Sequence, residues 1–257
     1  MKGLDMTTMG NTPRRLKQAL QAALLRHGIE VRKTPAYFAP IPVFQLAVEA
    51  LMARRGQQLR FVQVGANDGV FVDPLREYII SCGWQGVLIE PQPEVFKILV
   101  DNYAQFSDRL KFENVAISPN SHLKLYLPPK NLADGDSSHA YSVVSSDASV
   151  LARQIGVPED QLRSVEVPGT TLDALLEQHG IREFDLLQID AEGYDWEVLQ
   201  TLTLGKAGPT LIQFETGHLD RNTLTTVAEY LNEAGYLIYY GGYQGDALAM
   251  KRDFFHS

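Results

Sequence analysis

The chain has 257 residues, 45% of them hydrophobic, which suits one large α/β domain or a domain with an appendage and excludes a disordered chain. Its formal net charge is −8 and its only basic clusters are Arg14–Arg15–Lys17 and Arg54–Arg55, so a nucleic-acid partner is not expected. There is no apolar run of roughly 20 residues and no h-region beside a cleavage site, and the single cysteine, Cys82, cannot form an intramolecular disulfide. These features lead us to expect a cytoplasmic protein with no membrane partner.

In chain order, residues 1–12 read as loose. Thr12–Pro13 opens a helix that runs to about His27 and stops at Gly28. "TPAYFAPIPVF" holds three prolines and reads as a connector, and a second helix spans about Val43 to Arg55 and ends at Gly56. Residues 1–56 are thus expected to form an N-terminal helical extension, and 57–257 the main domain. Alternation then begins. "LRFVQVG", "GVLIEP" and "LKFENVAIS" read as strands, with helices through "PLREYIISCG" and "PEVFKILVDNYA" between them. "HLKLYLP" is a strand or hairpin arm, and residues 128–148, rich in Ser, Gly, Asp and Pro, are expected to form a surface loop or lid that includes His139. Extended "SVEVPGTT" leads into the helix "TLDALLEQHG". "FDLLQID", "YDWEVLQTL", "PTLIQFE" and "LDRNTLTTVAEYLNEAG" continue as strand, helix, strand, helix. "YLIYYGGYQGDALAMKRD" closes the chain as an antiparallel hairpin.

This order predicts a Rossmann-like α/β fold: a seven-stranded, mostly parallel sheet with helices on both faces. Ligands bind such sheets beyond the carboxyl ends of the strands. Polar residues gather at those ends: Gly65–Gly69, Glu90, Asn114–Ala116, Asp190–Gly193 and Glu215–His218. The first turn reads G-x-N-x-G, with Asn67 and Val70 where a dinucleotide fingerprint needs glycine. Gly65 permits a sharp exit from the strand, and Gly69 is expected to allow backbone approach to a ligand. A ligand without phosphate, such as S-adenosylmethionine, fits this turn better than a dinucleotide. Its ribose diol calls for an acidic acceptor at the end of the next strand, where Glu90 stands.

"FVQVGANDG", "LIEPQPEVFKILVDNY", "NVAIS", "TTLDALLEQHG" and "FDLLQIDAEGYDWEVLQTL" resemble the successive motifs of the FkbM-type family of class I S-adenosylmethionine-dependent methyltransferases, over about residues 60 to 216. The resemblance implies O-methylation of a hydroxyl on a sugar, secondary metabolite or other small molecule. It implies that Gly65, Ala66, Asn67, Asp68 and Gly69 surround the methionine part of the cofactor. Glu90 would take the ribose, Asn114, Val115 and Ala116 would border the adenine, and Asp190 would lie beside the reacting methyl. One departure stands out: Gln63 occupies a position where an acidic residue is common in the family, so a carboxylate near the amino-acid end is missing.

Methyl transfer to oxygen needs a group that removes the hydroxyl proton. Asp190, Glu215 and His218 are the candidates, and an imidazole of ordinary pKa near 6.5 is suited to the task. The expected arrangement has His218 or a water taking the proton while the carboxylates position it. Asp190, Glu192, Glu215 and His218 also offer oxygen and nitrogen ligands to a divalent metal such as Mg²⁺, though their spacing fits no strict metal template, and a metal is not favoured. Two other readings stay open: a nicotinamide-dependent oxidoreductase on a similar sheet, and a non-catalytic cofactor-binding module. The acceptor's identity and any homo-oligomeric assembly are not written in these patterns.

Overall fold

The computed structural model describes residues 42–129, 144–205, 208–240 and 246–255. The helix expected from Pro13 to His27, residues 130–143 of the expected lid with His139, and Tyr243 in the closing hairpin lie outside the described residues.

The strands, in chain order, are β1 (Arg60–Val64), β2 (Gln85–Ile89), β3 (Leu110–Glu113), β4 (Ala116–Ile117), β5 (His122–Leu127), β6 (Arg163–Thr170), β7 (Leu186–Ile189), β8 (Leu211–Phe214), β9 (Tyr236–Tyr240) and β10 (Ala247–Lys251). Seven of them form one sheet in the order β3-β2-β1-β7-β8-β10-β9. Pairing is parallel from β3 through β8, and β10 runs antiparallel between β8 and β9. The fold is therefore the expected one, with the last strand inserted between its two neighbours and not added at the edge.

Both faces of the sheet are covered, which explains why its central strands read as apolar runs without alternation. Val62, Val64, Leu187, Ile189, Ile212 and Phe214 point to one face. They meet helices Leu172–Gln178, Asp195–Gln200 and Arg221–Glu233. Phe61, Leu186, Leu211, Leu248 and Met250 point to the other. There they meet α1 (Val43–Arg55), the helix Arg76–Ser81 and α3 (Pro93–Asn102). Helix α1 buries Phe44, Ala47, Val48, Leu51 and Met52 in this second core. The compact unit accordingly begins at Pro42, and residues 43–55, grouped by sequence with an N-terminal extension, belong to the domain. An apolar face of this width cannot stay in water, so the helix and the sheet need each other.

Two local departures bear on the site. "LKFENVAIS" is not one strand. It breaks after Glu113, where the Asn114 amide donates to the carbonyls of Glu90 (2.8 Å) and Pro91 (3.1 Å). The chain then starts a second sheet, ordered β4-β6-β5. In addition, a helix at Ala148–Ile155 begins inside the expected lid, capped by Asp147, whose carboxylate accepts from the N–H groups of Ser149 and Val150. No helix among the described residues is long and apolar enough to cross a membrane.

Candidate active site

A cavity of about 310 Å³ opens beyond the carboxyl ends of β1, β2 and β7. Of the residues expected around a cofactor, Gly65, Ala66, Asn67, Glu90, Val115, Ala116 and Asp190 line it. Asp68, Gly69 and Asn114 do not, and each has a structural task. The Asp68 carboxylate accepts from the N–H groups of Val70 and Phe71 (both 2.8 Å), and its carbonyl accepts from the Asn102 amide. Asn114 fixes the exit of β2 through the two bonds described above.

Gly69 has φ +69°, and a Cβ there would lie 2.3 Å from Tyr103 Cε2 and 2.7 Å from Leu99 Cδ1. Its missing side chain makes room for side chains at the α3 end. At Gly65 the constraint is a backbone: a Cβ would sit 1.9 Å from the Asp190 carbonyl oxygen, and φ is +75°. The absence of a side chain lets the turn after β1 press against the turn after β7, so the two halves of the site are mechanically joined.

Glu90 ends β2 and is 3% exposed. Its Oε2 accepts from the Asn67 N–H (3.0 Å) and its Oε1 from the Gln92 N–H (2.8 Å). Burial still pushes its carboxyl up to about 7, because two amide bonds only partly replace lost hydration. An ionised carboxylate keeps further lone pairs free, so Glu90 is prepared to accept from hydroxyl donors.

A carboxylate nevertheless stands beside position 63. Asp73 lines the cavity beside Gln63. It accepts from the Gln63 amide (3.0 Å), the Leu75 N–H (2.9 Å) and the Tyr103 hydroxyl (3.0 Å). Burial raises its pKa from the ordinary value. The cavity's other wall is apolar: Val115, Ala116, Ile117, Leu123, Leu125 and Val144 offer a surface for a flat ring. Val72, at the rim, has φ +52°, a strained setting for a β-branched residue.

Asp190 stands on the wall shared by this cavity and a second pocket of about 190 Å³. Its side chain is exposed to the cleft, while the protein packed around its carboxyl, with the nearby Glu192, Asp195, Glu215 and Asp246, raises its pKa well above the ordinary value. Glu215 lines the second pocket only and is also raised, chiefly by burial. His218 lines neither. Its Nε2 lies 3.6 Å from Glu192 and 3.5 Å from Glu215, and Glu192 above all, with Glu215, holds the imidazole toward its protonated form. The ligating atoms of Glu192, Glu215 and His218 lie within 4.8 Å of one another, so these three could hold a metal ion, with Asp190 outside the group.

Besides Asp73, two further features escaped the sequence reading. Asp195, 1% exposed, accepts from the N–H groups of Ala191 (3.3 Å) and Glu215 (3.0 Å), tying the turn after β7 to the end of β8. Burial pushes it up to about 7. Its signal was a third acid, after Asp190 and Glu192, five residues beyond Asp190 at a helix start. The other is a row of glutamines. Gln63, Gln188 and Gln213 stand in register on β1, β7 and β8, buried, each with an Oε1 that has no partner. "FVQV", "LLQI" and "LIQF" carried this pattern: one polar residue at the third place of three otherwise apolar strands.

The fold is similar to several solved methyltransferases. The human METTL16 N-terminal domain in complex with SAH is 18% identical, with TM-score 0.44, covering 91% of this chain and 80% of that one. A METTL16 MTase domain is 15% identical, with TM-score 0.47, covering 91% and 78%. Precorrin-6y C5,15-methyltransferase from Geobacter metallireducens is 11% identical, with TM-score 0.42, covering 86% and 93%. No curated protein matches the sequence. Residues 63–238 match the methyltransferase FkbM domain, and with that stretch running from within β1 into β9, the chain belongs to the FkbM methyltransferase family.

Proposed function

We propose that the protein transfers a methyl group from S-adenosylmethionine to a hydroxyl of a small molecule or glycan, in the cytoplasm. The carrying observation is Asp190, a carboxylate of strongly raised pKa on the wall between the cavity and the second pocket. When bound, S-adenosylmethionine supplies an electrophilic methyl on a sulfonium. The residues present suit it. Glu90, held by the Asn67 and Gln92 N–H groups, accepts from the ribose hydroxyls. Asp73, with the unpartnered Gln63 oxygen beside it, takes the ammonium of the amino-acid end. Val115, Ala116 and Leu125 cover the adenine.

Asp190 takes the proton from the acceptor hydroxyl. A carboxylate of raised pKa is a stronger base when ionised, and of Asp190, Glu215 and His218 it is the one that faces both spaces. His218 is better read as a positioning residue. Its imidazole lies against both Glu192 and Glu215 and lines neither space, so it can hold these two carboxylates in place without meeting an acceptor hydroxyl. Asp195 holds the two turns in place from below.

The test is Asp190→Asn. It should lower kcat by about a hundred- to ten-thousandfold while S-adenosylhomocysteine affinity stays within a few-fold, because only a transition-state interaction is lost. A kcat within threefold of wild type removes Asp190 from the chemistry.

A further inference from the structure

We propose that the second pocket seats a protonated amine carried by the methyl acceptor, on the molecule whose hydroxyl meets Asp190. This rests on reading Asp190 as the methyl-transfer site.

The pocket adjoins the cavity across Asp190 and is lined further by Gln188, Gln213, Glu215, Asp246 and the tyrosines of the β9 end. Gln188 and Gln213 are 5% and 8% exposed, and neither carbonyl oxygen has a partner. The orientation of Gln213 is set by Asp246, whose Oδ2 accepts from its amide nitrogen at 2.9 Å, so the carbonyl is the end left over. A buried oxygen left this way costs about 1–3 kcal/mol, a cost that a ligand donating N–H groups removes.

The charges point the same way. Asp190, Glu192, Glu215 and Asp246 all line the pocket, and no lysine or arginine does among the described residues. His218 lies against Glu192 and Glu215, and among the described residues no ion pair joins Asp190 or Asp246. Tyr239 and Tyr240, 40% and 52% exposed, place aromatic surface at the rim, where an ammonium gains a further attraction.

A metal ion suits this pocket less well. Among the described residues, no set of three ligating side chains that includes Asp190 or Asp246 gathers as closely as Glu192, Glu215 and His218 do. Spread acceptors suit a cation whose N–H donors point in several directions. The first turn of α1, which opens on Pro42 without a side-chain cap, adds backbone N–H groups suited to hydroxyl oxygens of the same molecule.

The experiment titrates D-glucosamine, D-glucose, N-acetylglucosamine and glucose 6-phosphate against the full chain without cofactor, by ligand-observed NMR at pH 7. Glucosamine should bind at least about tenfold more tightly than the other three, as a charge-assisted contact requires. Gln213→Leu should reduce that preference to about twofold while S-adenosylhomocysteine affinity is kept; if this variant does not fold, Asp246→Asn should do the same. Equal binding of glucose and glucosamine, a preference for the phosphate, a preference that survives both substitutions, or displacement of glucosamine by micromolar Mn²⁺ or Mg²⁺ overturns the proposal. Failure of S-adenosylhomocysteine to bind overturns the methyl-transfer reading instead, because the amine preference is read without it.

Discussion

Glu90 should make cofactor binding depend on pH in the neutral range. In the free protein its carboxyl, ordinarily at 4.5, is pushed up to about 7 by burial. Hydroxyl donors bind the ionised form better than the neutral one, so binding lowers this pKa and releases a proton. Near pH 7 about half the free protein must deprotonate, and about half a proton should appear in the buffer per ligand bound. Below pH 7 affinity should fall, by up to about tenfold per pH unit, until the pKa of the bound state is reached. For the free fold the sign is opposite. A carboxyl raised above its unfolded value contributes stability that is complete below about 4.5 and lost as pH rises through about 7. Asp195, also pushed up to about 7, acts in the same direction. Glu90→Gln should therefore flatten the pH dependence of binding and weaken it at pH 8 by about ten- to a hundredfold, the loss of charge-assisted bonds worth roughly 1.5–3 kcal/mol. It is not expected to stabilise the fold, since its NH₂ would face the Asn67 or Gln92 N–H. The assay is calorimetry with S-adenosylhomocysteine from pH 6 to 8, in two buffers of different ionisation enthalpy. A wild-type affinity that is flat over this range, with no proton release, refutes the reasoning.

Gly69→Ala should act on the fold and not on the ligand. The added Cβ meets Tyr103 at 2.3 Å with φ at +69°, so a loss of about 2–4 kcal/mol is expected from overpacking and left-handed strain, read as a lower Tm, with affinity nearly unchanged below it. Asp73→Asn should weaken S-adenosylmethionine binding by about tenfold or more if Asp73 faces the ammonium; unchanged affinity assigns it to structure alone. His218→Ala should lower kcat less than Asp190→Asn does and should keep the acid limb of the pH–rate profile; loss of that limb would make histidine the base.

The sequence alone determined the order of strands and helices, and with it the parallel sheet and the line of strand ends where ligands bind. This followed because buried parallel strands must be apolar throughout, and the intervening helices announce themselves by caps and period. Glu90 and Asp190 were legible for the same reason: a polar residue just past an apolar run lies at the end of a strand. Side-chain direction was not legible. Gly65 and Gly69 look alike in the string, yet one gives way to the Asp190 backbone and the other to Tyr103, a contact made with a residue 34 positions further on. Asp73 was passed over because its link to Gln63 runs across a loop of ten residues with no period to betray it. His218 looked like a free base because its two carboxylate partners, Glu192 and Glu215, come together only when β7 and β8 pair. The glutamine row is the intermediate case. Each member is visible in its own strand, but strand order and register alone bring the three buried glutamines, each with an unpartnered oxygen, into one row across the sheet.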